Sequence, residues 1–249
     1  MNLVITGANQ GIGYFLVAQA LEDGSSVSVL DVETNRLSGL AQAHPGRLLC
    51  HCADVRDSAA VQRAVEATAA QFGHIDVAIH NACLCPEHQE ARDTASHRAV
   101  FEVNYFGALH LTQSVLPHMR RRGSGRIYFT CSGVGITGFA GLAAYASSKA
   151  ALEALAKCCN LECAETGVTF HLLHPPLTRT RSSAFLPVPP AYMADPEVVG
   201  RGLAKRLSAR GFVQCHSALQ RVQTQICYGF PIQLGRLLTK MTSRCDPRA

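Results

Sequence analysis

The 249-residue chain has no apolar stretch approaching the ~20 residues that a membrane-spanning helix needs. Its N-terminus lacks the basic segment and cleavage site of a secretory leader, because Leu3–Ile5 already has the pattern of a first strand. These two absences favour a cytoplasmic protein. Charged residues make up only 16% and hydrophobic residues 47%. That balance excludes a disordered chain and predicts a substantial core.

Metal-site spacing is also lacking among the eleven cysteines. The nearest approaches are Cys50-His51-Cys52, and Cys83-Leu84-Cys85 with His80 and His88. Neither group has a second Cys or His pair at zinc-site spacing. Cys50 and Cys52 also fit one face of a strand. We therefore expect no metal site and, in a reducing cytosol, free cysteines that act as small apolar side chains.

Short β-rich runs alternate with helical patterns along most of the chain. The predicted strands are Leu3–Thr6, Ser26–Asp31, Arg47–Cys52, Val77–His80, Gly125–Thr130 and Val168–Leu173. The predicted helices include Ala59–Phe72, His97–Met119 and Ala143–Thr166. Repeated βαβ units predict an α/β fold with a doubly wound parallel sheet and helices on both faces. No repeat or low-complexity linker interrupts the chain, so we expect one domain over residues 1–249.

A glycine-rich run from Thr6 to Gly13 reads T-G-x-x-x-G-x-G, between an apolar strand and a helical pattern. Glycines let the backbone turn tightly and approach phosphates closely. The following helix presents unpaired N–H groups and the positive end of its dipole to an anion. This order predicts a site for the pyrophosphate of a dinucleotide. Its candidate cofactor-binding residues are Gly7, Asn9, Gln10, Gly11, Ile12 and Gly13.

Asp31 ends the second predicted strand, 18 residues after Gly13. A carboxylate in this place accepts hydrogen bonds from an adenosine ribose and repels a 2′-phosphate, which favours NAD(H) over NADP(H). Arg36 is the alternative partner for a phosphate, although a solvated helix face is the simpler interpretation. An ordinary turn aspartate is the alternative for Asp31.

Tyr145 and Lys149 are four residues apart in a helical run, so both project from one helix face. A phenol has a pKa of about 10, too high for a base near neutrality. A neighbouring ammonium and the positive nicotinamide ring of an oxidised cofactor lower that value. Ser132 follows a predicted strand, where its hydroxyl suits a hydrogen bond to a substrate oxygen.

These motifs together resemble the short-chain dehydrogenase/reductase family, over roughly residues 2–180. The residues that match in order are the Thr6–Gly13 turn, Asp54-Val55, Asn81-Ala82, Asn104, Ser132, Tyr145 and Lys149. The resemblance implies a Rossmann-like fold and hydride transfer between an alcohol or ketone and a nicotinamide cofactor. It also implies a homodimer or homotetramer, formed through the helices that contain Asn104 and Tyr145.

The resemblance also implies a role for each matching residue. Tyr145 acts as acid and base, and Ser132 orients the substrate oxygen. Lys149 binds the nicotinamide ribose and lowers the pKa of the tyrosine, and Asn104 holds a water that relays protons. Asp54, next to Val55, meets the adenine. The backbone of Asn81 and Ala82 meets the adenosine side of the cofactor.

Two departures from the family pattern affect this cofactor site. The usual N-N-A-G motif is His80-Asn81-Ala82-Cys83 here, so a thiol replaces a glycine beside the cofactor. The usual Pro-Gly after the sixth strand is Pro175-Pro176, followed by Thr180, which the resemblance places at the carboxamide. The second proline fixes φ and removes an N–H near the nicotinamide.

Two later segments bear on the substrate and on partners. Residues 182–196 stand where the family carries its substrate loop, and their apolar composition favours a bulky, steroid- or lipid-like substrate. An alternative is that this loop packs on the core or on another subunit. Residues 201–249 hold nine basic residues and one acid, Asp246, for a net charge of +8, whereas residues 1–200 carry −3. Water, an acidic ligand or an anionic surface are the expected contacts of such a segment.

The C-terminal extension, about residues 218–249, contains a second amphipathic pattern. Pro231 is a good first residue for a helix. One predicted stripe contains Leu234, Leu237, Leu238 and Met241, and another contains Arg236, Lys240 and Arg244. Such a basic amphipathic helix fits an anionic membrane surface. Packing of the stripe against the body or a partner subunit is the favoured interpretation.

We therefore expect an NAD(H)-dependent oxidoreductase, similar to hydroxysteroid dehydrogenases, that acts on a hydrophobic secondary alcohol or ketone without metal or nucleic acid. One alternative is a dinucleotide-binding sensor or scaffold with little catalysis. Another is an NADP(H)-dependent lipid reductase associated with membranes.

Overall fold

The computed structural model describes residues 1–87 and 92–243. Within them, seven parallel strands form one sheet in the order β3-β2-β1-β4-β5-β6-β7. The strands are β1 (Asn2–Thr6), β2 (Ser26–Asp31), β3 (Leu48–Cys52), β4 (Val77–His80), β5 (Gly125–Thr130), β6 (Val168–Leu173) and β7 (Val213–Gln214). The order reverses between β1 and β4, which opens a crevice beyond their carboxyl ends.

The six predicted strands are confirmed within one residue at their ends. All but the edge strand β3 are largely buried, because helices cover both sides of the sheet. Leu3 and Ile5 of β1 enter one core with α1 and α8, and Val4 enters the other core with α3, α5 and α7. The fold class is therefore confirmed as a doubly wound, Rossmann-like α/β sheet. Strand β7 was not predicted.

The helices are α1 (Gly11–Glu22), α2 (Ser38–Ala43), α3 (Ser58–Phe72), α4 (Thr94–Phe101), α5 (Gly107–Arg122), α6 (Gly133–Thr137), α7 (Ala143–Glu162), α8 (Pro196–Ala204), α9 (Ala218–Gly229) and α10 (Pro231–Ser243). The predicted helical stretch His97–Met119 is confirmed, because α4, a π-helical turn at Glu102–Phe106 and α5 follow one another without a break. The π-helical turn, which contains Asn104, was not predicted. The predicted helix to Thr166 is too long, because α7 ends at Glu162 before a turn with Gly167 at φ +70°.

Residues 182–196 are largely irregular, as the prolines predict, with short 3₁₀ turns at Arg181–Ser183 and Pro190–Tyr192 before α8 begins at Pro196. Arg179 donates its N–H to the Ala194 carbonyl, and Ala194 donates to Leu177. These bonds close the segment into a loop beside the carboxyl end of β6.

Pro231 begins α10, as predicted. The apolar stripe was expected to pack against the body or a partner subunit. The structure contradicts packing against the body, because Leu237, Leu238 and Met241 are exposed, and packing against a partner subunit stays a prediction. The helix instead contacts the body through Gly235, where a Cβ would lie 2.4 Å from the Thr137 carbonyl oxygen. Of the predicted basic stripe, Arg244 lies outside the described residues. No helix of the part of the chain that the structure describes is long and apolar enough to cross a membrane.

Candidate active site

A cavity of about 500 Å³ lies beyond the carboxyl ends of the strands, at the reversal of strand order. It brings together residues from turns that are far apart in sequence. The predicted site residues that line it are Gly7, Gln10, Gly11, Ile12, Asp31, Asp54, Val55, Asn81, Ala82, Ser132, Tyr145, Lys149, Pro175 and Thr180. Asn9, Gly13 and Asn104 do not line it.

The glycine turn forms a cradle that larger residues would fill. Gly7 has φ +68° and Gly11 has φ +61°, a region that favours glycine. A Cβ on Gly7 would lie 2.4 Å from the Ala82 Cα atom, and one on Gly11 would lie 3.3 Å from Thr180 Cγ2. No side chain caps the N-terminus of α1, whose first turn carries no acid. These features fit the pyrophosphate of a dinucleotide.

Asn9 and Gly13 shape the turn from behind. Asn9 donates its backbone N–H to Asp31 Oδ2 at 2.8 Å, and its side chain binds Asn35 and the backbone of Arg36. At Gly13 a Cβ would lie 2.5 Å from the Gly7 carbonyl oxygen. Both residues therefore act on the cavity through the conformation of the turn.

Two carboxylates lie toward the β2 side of the cavity. Asp31 also accepts an N–H from Glu33 at 3.3 Å. Asp54 is held by Arg56, whose Nε and Nη2 donate to its two oxygens. These bonds lower the pKa of the Asp54 carboxyl, and Arg56 itself lines the cavity. Sequence reasoning missed Arg56, although it follows Asp54-Val55 directly.

Thr6 joins the glycine turn to the end of β4. Its hydroxyl accepts the N–H groups of Asn81 and Ala82, both at 3.2 Å, and contacts His80 Nδ1 at 3.0 Å. The Asn81 side chain donates to the Gly7 carbonyl. Asn81 and Ala82 of the predicted His-Asn-Ala-Cys motif therefore fix the turn in place as well as line the cavity.

Tyr145 and Lys149 lie one turn apart on α7, with Ser132 opposite them after β5. The ammonium of Lys149 is 5.5 Å from the centre of the Tyr145 ring, and it donates to the Thr130 carbonyl at 2.8 Å. Burial raises the pKa of the Tyr145 phenol well above its usual value, and nearby Cys83 and Cys85 raise it further. A hydrogen bond with Ser132 lowers the pKa. The low pKa that was expected for Tyr145 is therefore not found in the protein without a cofactor.

Asn104 is fully buried in the π-helical turn. Its Oδ1 accepts the Leu84 N–H at 2.7 Å, and its Nδ2 donates to the Leu84 carbonyl and to Ser148. The side chain therefore ties α7 to the segment after β4. It leaves no side-chain hydrogen bond from Asn104 to Lys149, and the predicted water relay remains a prediction.

The thiols of Cys83, Cys85 and Cys131 lie close enough to the Tyr145 phenol to affect its pKa. Of the three, the sequence placed only Cys83 beside the cofactor. Cys85 and Cys131 also line the cavity, and Cys83 Sγ lies 4.0 Å from the Ser182 hydroxyl. Burial raises the pKa of the Cys131 thiol to about 12. His88, considered as a partner of Cys83 in a metal site, lies outside the described residues. Within residues 1–87 and 92–243, no group of three metal-binding side chains occurs.

Part of the cavity lining is apolar. Val134, Leu142 and Leu177 contribute to it, together with Leu186 from the predicted substrate loop, whereas Arg181, Ser182 and Ser183 add polar groups. Most other apolar residues of that loop do not line the cavity, and Tyr192 is 79% exposed. Thr180 lines the cavity. It also caps the 3₁₀ turn Arg181–Ser183 through reciprocal hydrogen bonds with Ser183. Pro175 and Pro176 both line the cavity, so the second proline is accommodated there.

Comparison with known proteins agrees with this geometry. Residues 1–187 match the family model described as short chain dehydrogenase. The oxidoreductase UcpA of Salmonella typhimurium is 32% identical over 216 residues, which cover 83% of this chain and 80% of that protein.

Two solved structures extend the comparison. A 3-ketoacyl-(acyl-carrier-protein) reductase from Brucella melitensis, complexed with NADH, gives a TM-score of 0.77 at 22% identity, covering 85% of this chain and 93% of that chain. A gluconate 5-dehydrogenase from Burkholderia cenocepacia, in complex with NADP and tartrate, gives 0.74 at 25% identity, covering 82% and 86%. The fold is thus shared by proteins solved with either dinucleotide.

Proposed function

The chain belongs to the short-chain dehydrogenase family, and we propose that it is an NAD(H)-dependent oxidoreductase that interconverts a hydrophobic secondary alcohol and its ketone. The observation that carries this proposal is the convergence of Ser132, Tyr145 and Lys149 on one cavity with the glycine turn. The hydroxyl, phenol and ammonium share this cavity with residues of the uncapped N-terminus of α1.

The residues divide the work of proton transfer and positioning. When bound, the nicotinamide dinucleotide supplies the acceptor or donor of a hydride. Ser132 donates its hydroxyl to the substrate oxygen and orients it. During oxidation Tyr145 accepts the hydroxyl proton of the alcohol, and during reduction it returns that proton to the carbonyl oxygen. The Lys149 ammonium favours the phenolate form, opposing the effect of burial.

Asp31 supports NAD(H) as the cofactor. Its carboxylate lines the cavity at the end of β2, held by the N–H groups of Asn9 and Glu33. A 2′-phosphate placed beside it would meet a like charge. Arg56, a cation that lines the same cavity, is already paired with Asp54 at 2.6 Å.

One observation favours NADP(H) as a second candidate. Arg36 lines a smaller pocket that adjoins the glycine turn, together with Asn9, Gln10 and Gly11. A guanidinium in this place suits a phosphate. Substitutions at Asp31 and at Arg36 therefore distinguish NAD(H) from NADP(H) as the cofactor.

The bulky hydrophobic substrate follows from the apolar walls at Val134, Leu142, Leu177 and Leu186. Apolar walls with a few converging polar groups are typical of sites for small hydrophobic ligands. A steroid- or lipid-like alcohol fits this chemistry better than a sugar.

Tyr145→Phe tests the reaction. We expect turnover of a responsive steroid or lipid alcohol to fall at least ~100-fold, the usual size of a lost acid–base group, while NADH binding is retained. NADH absorbance measures the first and NADH fluorescence titration the second. Substantial residual turnover would remove Tyr145 from the mechanism. NADH binding by the unaltered protein without turnover of any alcohol or ketone would favour the sensor or scaffold hypothesis.

Asp31→Asn tests the cofactor. The amide oxygen keeps an acceptor for the Asn9 N–H but removes the charge. We expect the unaltered protein to prefer NADH, and the variant to bind NADPH more tightly by on the order of tenfold, as loss of one like-charge repulsion implies. Arg36→Gln is the matched variant. A preference of the unaltered protein for NADPH that Arg36→Gln abolishes would establish NADP(H) instead.

A further inference from the structure

The two C-terminal helices turn their apolar residues outward. Leu219, Val222 and Ile226 on α9, and Phe230 directly after it, recur at intervals of three or four, and each is between 47% and 69% exposed. Helical periodicity places them on one face. On α10 the exposed apolar residues are Ile232, Leu237, Leu238 and Met241. We call these eight residues the C-terminal apolar surface.

The body of the protein holds these helices by their polar and small residues. Thr224 is buried under α9, and the Tyr228 hydroxyl donates to Glu153 Oε2 of α7 at 2.8 Å. Gly235 packs on Thr137, and Thr239 Oγ1 accepts the Ala140 N–H at 3.4 Å. The inward contacts therefore fix which side of each helix faces the solvent. The outward direction of the apolar residues is set by this docking.

The charge around the surface has one sign. Residues 218–243 contain Arg221, Arg236 and Lys240 and no acidic residue, and all three cations are exposed. The last 49 residues of the chain carry a net charge of +8. Exposed apolar side chains flanked by cations are complementary to a layer of anionic lipid, which offers acyl chains beneath negative headgroups.

Charge also separates a lipid surface from a second copy of this chain. A symmetric dimer places the same patch of both subunits face to face. Two such surfaces would bring their cations together, and like charges in contact oppose association. Clusters of exposed apolar residues mark interaction sites, and the charge around this one favours an anionic partner.

We propose that α9 and α10 form a peripheral membrane-binding surface that inserts its apolar residues into the interface of anionic lipid. The surface adjoins the catalytic region, because α10 packs on Thr137 at the end of α6, which begins directly after Ser132. Bound in this way, the protein would receive a lipid-soluble alcohol or ketone from the membrane. The binding itself does not depend on the proposed reaction.

The test is co-sedimentation of the full chain with vesicles. We expect binding to vesicles of phosphatidylcholine mixed with phosphatidylserine, weak binding to phosphatidylcholine alone, and loss of binding at high salt. Leu237→Glu/Met241→Glu should weaken binding to these vesicles more than tenfold, because it places carboxylates against anionic headgroups. Val198→Glu is the control for adding one carboxylate at an exposed apolar position away from this surface, since Val198 of α8 is 61% exposed.

A charge series separates electrostatic attraction from insertion. Arg236→Gln/Lys240→Gln should weaken binding to the anionic vesicles by about fivefold for each cation removed. Arg63→Gln/Arg98→Gln, with the same change in net charge on α3 and α4, should leave binding nearly unchanged. Circular dichroism and NADH binding check that every variant is folded.

Three results would overturn the proposal. The first is failure of the full chain to bind anionic vesicles. The second is equal loss of binding in the control variants. The third is self-association of the full chain, measured by sedimentation without lipid, that the double variant Leu237→Glu/Met241→Glu abolishes. The surface would then be an interface between copies of the chain. Loss of turnover in Tyr145→Phe with intact vesicle binding would leave the membrane surface standing by itself.

Discussion

Helices α1 and α9 are both twelve residues long, yet they use their apolar residues in opposite ways. In α1, Leu16 and Leu21 are fully buried between the sheet and α8. In α9, Leu219 and Ile226 face solvent, and polar Thr224 is buried. Periodicity predicts a helix and an apolar face in either case, but it does not identify what covers that face. The difference is set by neighbouring elements.

The difference between the two helices is tested most directly by truncating one leucine to alanine on each. Leu16→Ala removes a fully buried side chain and should lower the free energy of unfolding by about 2–5 kcal/mol. Leu219→Ala removes a side chain that is 69% exposed and should change it by less than about 0.5 kcal/mol. Urea unfolding followed by circular dichroism, without lipid, measures both.

Equal destabilisation by the two substitutions would mean that the outward face of α9 is covered in solution. Repeating the Leu219→Ala measurement at several protein concentrations then identifies self-association, because the stability of an associated form depends on concentration.

The strand ends could be predicted from the sequence because chemistry there follows the sheet. Asp31 and Ser132 each follow a run of apolar residues, and parallel strands bring such positions to one edge. The glycine turn was predictable for the same reason, since Gly7 stands directly after β1. Short-range patterns therefore located the cavity walls, although not the thiol of Cys131 or the paired guanidinium of Arg56.

Two features depend on contacts that no local pattern records. The π-helical turn surrounds Asn104, whose side chain binds the backbone of Leu84, 20 residues away. A spacing of three and four residues does not reveal one extra residue in a turn. Similarly, the inward side of α10 is set by Gly235 and Thr239 against the end of α6, so the leucine stripe does not face the body, the first of its two expected partners.

A smaller effect concerns acid, because the two regions differ in titratable groups. Residues 218–243 contain no histidine or acid, whereas His80 lies fully buried beneath the cavity. Its ring contacts Thr6 on one side and faces the backbone of Val103 and Asn104 on the other. Burial lowers the pKa of His80 from 6.5 to about 3. The unfolded chain therefore binds a proton that the folded protein excludes as the pH falls below 6.5.

The contribution of this histidine to stability is present above pH 6.5 and is lost progressively as the pH falls toward 3. His80→Asn places the usual family residue at this position. Between pH 6.5 and about pH 4.5 the free energy of unfolding of this variant should fall by about 2 kcal/mol less than that of the unaltered protein. Urea unfolding across this range measures the effect. His118→Asn is the control: its ring on α5 is only partly buried, so its removal should change the profile less. Identical profiles for His80→Asn and the unaltered protein would mean that acid acts elsewhere, for instance at His174, whose pKa burial lowers to about 4.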